Sequence, residues 1–266
     1  MTNSSPTAST RPLAVVTGAS SGIGYELAKQ FAKNGFDLLI TSTGERIETV
    51  AEAFEQLGAT VTTVQANLAT YDGVETLYQQ IQAIGKPVDA IAINAGVGVG
   101  GAFIETDLQA ELNIIELNIA SSVHLAKRVV PDLVARGKGR ILFTSSIASQ
   151  MPGPFQAVYA ASKSFIHSFS QALRNELKDS GVTVTALMPG ATDTNFFDRA
   201  GIEDTKVNKA PKDDPTEVAR MGFEALMAGK DSVLAESLLT KVAGTVSKIL
   251  PDPLKAELYR QVSKPE

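Results

Sequence analysis

The chain has 266 residues, 44% of them hydrophobic, with 24 Lys and Arg against 29 Asp and Glu, no cysteine, no tryptophan and two histidines. The lack of cysteine excludes disulfides, thiolate nucleophiles and Cys-held zinc or iron–sulfur centres, and two histidines leave little for another metal site, so none is expected. A net charge of −5 without a dense Lys/Arg block argues against a nucleic-acid surface, and no run approaches the roughly 18 consecutive apolar residues of a membrane span.

In chain order, residues 1–11 are Ser/Thr-rich without an apolar leader core and read as a flexible tail of a cytoplasmic protein. Short apolar runs rich in β-branched residues then alternate with stretches of helical period. Strands are expected at Leu13–Thr17, Asp37–Ser42, Thr60–Gln65, Ala90–Ile93, Arg140–Ser145, Val182–Met188 and Ser232–Ala235. Most are continuously apolar, as in strands buried on both faces. Helices are expected at Gly22–Asn34, Glu45–Leu57, Gly73–Ile84, Leu108–Arg136, Val158–Asp179 and Pro215–Met227, with Gly35, Gly58, Gly85, Gly137 and Gly181 at helix ends. The alternation predicts a single α/β domain over residues 12–235, a Rossmann-type doubly wound parallel sheet of about seven strands with helices on both faces. Residues 236–266 read as a helical C-terminal extension of that domain.

The first strand runs into Thr17-Gly18-Ala19-Ser20-Ser21-Gly22-Ile23-Gly24 and then a helix. Gly18 suits a sharp turn, Gly22 a close approach of backbone to a pyrophosphate, and Gly24 tight packing of helix on strand. The unpaired N–H groups and positive end of the helix would face phosphates, with Ser20 and Ser21 of the turn among the expected cofactor contacts. The letters Gly18-x-Ser20-x-Gly22 also spell a serine-hydrolase elbow, which would need His124 or His167 from the middle of apparent helices.

The second strand ends in Thr41-Ser42-Thr43-Gly44, with no carboxylate for an adenosine ribose; Ser42, Thr43 and Arg46 favour a 2′-phosphate and hence NADP, with NAD kept open. Asn67 and Leu68 follow the third strand, where adenine should rest, and Asn94-Ala95-Gly96 closes the fourth near the nicotinamide ribose.

Ser145-Ser146 ends the fifth strand, and Tyr159 and Lys163 lie four apart on the next helix, sharing a face. A phenol of pKa about 10 works poorly at neutral pH unless a positive charge favours its ionised form, and Lys163 is expected to lower it. One of the two serines would hold a carbonyl oxygen that Tyr159 protonates; alternation along the strand sends them opposite ways. Asn118 could hold a water in line with Lys163.

Together these segments resemble the short-chain dehydrogenase/reductase family, in its shorter-subunit branch: TGASSGIG, NAG, the SS pair, YAASK and PGATDT occur in the family's order from about Leu13 to Thr194. The resemblance implies a tetrad of Asn118, Ser146, Tyr159 and Lys163. It implies also that Tyr159 and Lys163 meet the cofactor, that Ile23 and Asn94 line it, and that Pro189, Gly190, Thr192 and Thr194 embrace its nicotinamide end. The sequence departs from the family's habits at Ile93, Asn67 and Ser21, the last where many NADP users carry a basic residue. The four-residue Tyr–Lys spacing implies carbonyl or alcohol chemistry.

Substrate contacts are expected from Gln150, Met151, Phe155, Gln156, Phe196 and Phe197, together with Val97 to Gly101, which points to a neutral, fairly hydrophobic ketone, aldehyde or alcohol. The polar stretch Asp198 to Asp214 reads as a lid. The expected partners are that small molecule and, through the family's long helices, a second or further copy as homodimer or homotetramer, with no nucleic acid and no membrane. Two other classes stand beside this reading: a catalytically silent dinucleotide-binding scaffold, and a hydrolase using Ser20.

Overall fold

Seven strands pair in parallel in the order β3-β2-β1-β4-β5-β6-β7. They are β1 (Leu13–Thr17), β2 (Asp37–Ser42), β3 (Val61–Gln65), β4 (Val88–Ile93), β5 (Gly139–Thr144), β6 (Val182–Pro189) and β7 (Ser232–Ala235). The computed structural model describes residues 11–235 and 250–265, so the expected tail before Arg11 and residues 236–249 of the extension lie outside the described residues. The chain winds outward from β1 to β3 and then jumps back to β4 on the other side of β1. That reversal opens a crevice at the carboxyl ends of the central strands.

Every residue of β1 is buried, which is why the strand reads as an unbroken apolar run rather than an alternation. Helices α1 (Gly22–Lys33) and α2 (Arg46–Glu55) cover one face with α9 (Pro215–Met227). Phe31 there meets Phe36 and Phe223 edge-on, with ring centroids 5.1 and 5.2 Å apart. Helices α3 (Tyr71–Ala83), α5 (Ser121–Arg136) and α6 (Ala157–Glu176) cover the other, where Ile91, Leu133, Phe143 and Ile166 are buried.

Several bounds shift by one to three residues, and two of the differences have a visible cause. β4 begins two residues early, because Asp89 sits inside the strand: its carboxylate accepts from Leu13 N (3.1 Å) and pairs with Arg136 and Lys138 at 3.6 Å. A charge at the strand's start hides it from an apolar pattern. The helix expected at Leu108–Arg136 is three pieces: α4 (Leu108–Ile114), a π-helical turn (Ile115–Ala120) that carries Asn118, and α5. Such turns swing a side chain out of helical phase.

The five glycines expected at helix ends all adopt positive φ. The Asp198–Asp214 stretch folds as α7 (Phe196–Ala200) and α8 (Lys206–Lys209), and Phe197, Ala200 and Ile202 form a small core of their own. It lies across the loop after β4, with Gly100 N donating to Ala200 O at 2.7 Å. The described end of the extension is helix α10 (Asp252–Ser263), joined to this segment by a bridge between Thr205 and Pro265.

At the opposite end of the sheet Arg11 donates to the carbonyls of Ala32 and Phe36 and pairs with Asp37, which also binds Lys86 at 2.7 Å. Phe31, fully buried between two other rings, is the position where packing counts most on that face: Phe31→Ala should cost about 3–5 kcal/mol of stability, read as a lower urea midpoint at unchanged slope.

Candidate active site

The crevice between β1 and β4 is floored by the glycine turn. Gly18 and Gly22 have φ of +69° and +57°, and a Cβ on Gly24 would lie 2.2 Å from the Gly18 carbonyl and 2.5 Å from Asn94 Nδ2. Only hydrogen fits there, so α1 seats directly on the turn. Its N-cap, Ser21, makes no side-chain capping bond, and its first turn holds no acid. The helix therefore offers unpaired N–H groups and its positive end to the cavity that Gly18, Ser20, Ser21, Gly22, Ile23 and Gly24 line.

Asn94 ties three strand ends together. Its Nδ2 donates to Thr17 O at 3.1 Å, its backbone N donates to Thr17 Oγ1 at 2.9 Å, and its Oδ1 accepts from Thr144 Oγ1 at 3.0 Å. Asn94, Ala95 and Gly96 line the cavity, as do Ser42, Thr43 and Leu68 on the one side and Pro189, Gly190, Thr192 and Thr194 on the other. Arg46 is exposed and Asn67 turns away, its Oδ1 accepting from Ala69 N at 3.0 Å; neither is part of the lining. Asn67 instead shapes the turn that starts α3.

The two serines after β5 part as alternation requires. Ser145 Oγ donates to the Lys163 carbonyl at 2.8 Å and holds α6 on the sheet, whereas Ser146 hydrogen-bonds the Tyr159 phenol. Tyr159, Lys163 and Ser146 all line the cavity. Lys163 Nζ lies 5.8 Å from the Tyr159 ring centroid and donates to Thr144 O at 3.0 Å. Gly96 permits this: a Cβ there would stand 3.1 Å from Asn118 Oδ1 and 3.2 Å from Lys163 Nζ.

Asn118 does not present its amide to a water. Its Oδ1 accepts from Val97 N and its Nδ2 donates to Val97 O and Ser162 Oγ, all at 2.9 Å. The side chain clamps the loop after β4 to α6, and the π-helical turn aims it there.

The electrostatics differ from the sequence expectation. Burial pushes the Tyr159 phenol up to about 12, partly offset by the hydrogen bond with Ser146, and brings the Lys163 ammonium down to about 8. Desolvation disfavours both charged forms, and the ammonium is spent on a carbonyl rather than on the phenol oxygen.

At the open end, Phe196 stacks obliquely on Tyr159 with centroids 5.2 Å apart, and Phe196, Phe197 and Gln156 line the cavity. Gln150, Met151 and Phe155 do not. Phe155, at φ +64°, lies under the Arg260 guanidinium at 5.2 Å and so anchors α10. Besides residues adjacent to the motifs, the lining includes Arg199, Ile202, Val207 and Tyr259, which the sequence reading did not name as site residues. All come from segments after the last motif, and no spacing marks them.

Neither histidine lines the cavity. His124 meets Glu75 Oε1 at 2.5 Å and stacks on Tyr71, so Ser20 has no histidine in its crevice and the hydrolase reading falls. Among the described residues no cluster able to hold a metal occurs, and no helix is long and apolar enough to cross a membrane.

Comparison with known proteins agrees with this geometry. The family described as short chain dehydrogenase matches residues 12–204. The rat protein "Dehydrogenase/reductase SDR family member 7B" is 30% identical over 253 residues, covering 89% of this chain and 77% of its own. The Bacillus subtilis "Uncharacterized oxidoreductase YmfI" is 27% identical over 239 residues, covering 89% and 96%. Among solved structures, a short-chain dehydrogenase from Sphingobium yanoikuyae in complex with NADPH superposes with a TM-score of 0.79 at 26% identity, covering 90% of this chain and 96% of that one. A bulky-bulky ketone specific alcohol dehydrogenase from Comamonas testosteroni gives 0.75 at 25%, covering 93% and 98%.

Fold and crevice together define a nicotinamide-dependent oxidoreductase acting on alcohol or carbonyl groups. The chain belongs to the short-chain dehydrogenase/reductase family.

The buried ammonium has a measurable signature. A lysine whose folded pKa lies near 8, below its unfolded value of about 10.4, sheds its proton in the folded protein first. The burial penalty is complete below pH 8 and fades as pH rises through the window up to the unfolded value. Stability relative to Lys163→Met should therefore rise by about 2 kcal/mol between about pH 7 and pH 9.5, measured by urea denaturation at each pH.

Proposed function

We propose that the protein reduces a neutral, fairly hydrophobic ketone or aldehyde with NADPH, or runs the reverse oxidation, with Tyr159 as general acid and base. The observation that carries this reading is the convergence of Ser146, Tyr159 and Lys163 on the cavity floored by the glycine turn. The residues fit a dinucleotide: the glycines leave room where any Cβ would fill the cradle, and the α1 terminus presents uncapped N–H groups. When bound, the nicotinamide supplies or accepts the hydride.

Tyr159, raised to about 12, keeps its proton at neutral pH and so stands ready to donate it to a carbonyl oxygen. Ser146 holds that oxygen beside the phenol. Lys163, lowered to about 8 and close to its partners, can bind a ribose hydroxyl and exchange protons near neutral pH. Asn118 keeps Val97 and α6 at a set spacing, which supports a positioning role in the tetrad.

Two observations support NADPH over NADH. No carboxylate occurs among the described residues lining the cavity, and Thr41, Ser42 and Thr43 stand at the end of β2 where an acid would reject a 2′-phosphate. Arg46, exposed at the start of α2, can swing to that phosphate. The apolar wall of Phe196, Phe197, Ile202 and Val207 supports a hydrophobic substrate, as does likeness to a protein described as specific for bulky ketones. Exposed Leu112, Ile115 and Phe165 on the long helices support a homodimer or homotetramer.

The test follows absorbance of NADPH and NADH over a panel of ketones and aldehydes. Tyr159→Phe should lose at least about a hundredfold in kcat, the scale of a deleted general acid; cofactor binding without turnover on any carbonyl would establish the silent scaffold instead. Arg46→Ala should raise KM for NADPH severalfold and leave that for NADH unchanged, since only the former carries the phosphate.

A further inference from the structure

Tyr259 projects from α10 into the same cavity as Tyr159, and its hydroxyl donates to Gln156 Oε1 at 2.6 Å. Gly153 lies against its ring, where a Cβ would make ordinary contact at 3.4 Å, and lets the chain close on α6, where a Cβ would stand 2.6 Å from Ala160 Cβ. Gln156 is buried at 5% exposure and sits at the N-cap of α6, three residues before Tyr159.

Gln156 has one carboxamide oxygen and two N–H donors. Tyr259 occupies the oxygen, so Nε2 turns the other way. Among the described residues nothing accepts from Nε2, and it is not sealed from solvent as a buried orphan would be. Gln156 is one of the residues that line the cavity. A largely desolvated amide donor facing a ligand cleft demands an acceptor, because a buried donor left unmatched is costly.

We propose that Gln156, held in orientation by Tyr259, binds a second oxygen of the substrate, so that preferred substrates are ketones or aldehydes bearing an uncharged oxygen acceptor two to four bonds from the reacting carbon. The spacing follows from residues three apart on one helix, about 5–6 Å between their Cβ atoms. The acceptor is an ether, hydroxyl or second carbonyl, since the pair that meets it, Gln156 and Tyr259, carries no charge, and Arg199 elsewhere in the lining has its Nε bound to Asn195 O at 3.1 Å. Gln156 touches substrate; Tyr259 is a positioning residue. The inference rests on carbonyl reduction as proposed above and adds the class of substrate.

An isosteric pair isolates the contact: 1-phenoxypropan-2-one and 4-phenylbutan-2-one differ only by oxygen for methylene. The full-length protein with NADPH should favour the phenoxy ketone, and the ratio of kcat/KM between the two should fall about tenfold in both Gln156→Leu and Tyr259→Phe, mainly through KM, the scale of one lost hydrogen bond. Gln156→Asn, which keeps the amide but shortens its reach, should lie between. An unchanged ratio in Tyr259→Phe and Gln156→Leu, or equal slowing of both ketones, overturns the proposal while leaving carbonyl reduction intact. A ratio that falls in Gln156→Leu alone overturns the part given to Tyr259. Absence of turnover by wild type on either ketone overturns carbonyl reduction itself, and this inference with it.

Discussion

The site depends on one close approach. Helix α1 reaches the turn after β1 at a point where a single methyl group would fall 2.2 Å from the Gly18 carbonyl. Because nothing but hydrogen stands at Gly24, the helix terminus aims into the crevice and Asn94 reaches the Thr17 carbonyl from β4. Asn94 in turn receives the hydroxyl of Thr144 at the end of β5, and the Thr144 carbonyl receives Lys163. The glycine turn and the Lys163 ammonium are thus joined by four hydrogen-bonded or steric contacts across three neighbouring strands.

Burial sets the electrical character of the floor. Among the described residues the cavity holds a phenol and an ammonium with no carboxylate beside them, and desolvation pushes each toward its neutral form. At neutral pH the phenol keeps its proton and is uncharged, while the ammonium keeps its charge at the expense of burial. The ammonium's tie to a backbone carbonyl keeps it in place meanwhile. The same sheet shows the opposite solution at its other end, where Asp37 is buried among Arg11 and Lys86 and its charge is matched.

The outer wall of the cleft is built differently from its floor. It draws on Phe196, Phe197, Ile202, Arg199 and Tyr259, from the chain after β6 and from α10. These segments rest on one another through the Thr205–Pro265 bridge and the Arg260–Phe155 contact rather than on the sheet. A wall so supported can change its chemistry while the floor keeps its geometry.

The seven strands, the crossing helices and the glycine turn were legible in the sequence because each is set by local periodicity and by residues such as Gly18 and Gly24, whose backbone requirements are local. Ser146, Tyr159 and Lys163 were legible too, through a helical spacing and a strand end. Alternation left open which serine faced the phenol, and the β5–α6 packing decided it by using Ser145 to bind the Lys163 carbonyl. Only the tertiary structure showed that desolvation outweighs the lysine's charge at Tyr159, that a π-helical turn commits the Asn118 amide to Val97, and that Tyr259 stands 103 residues from the Gln156 it touches. Those outcomes depend on burial and on contacts between distant segments, and neither is written in the order of neighbouring residues.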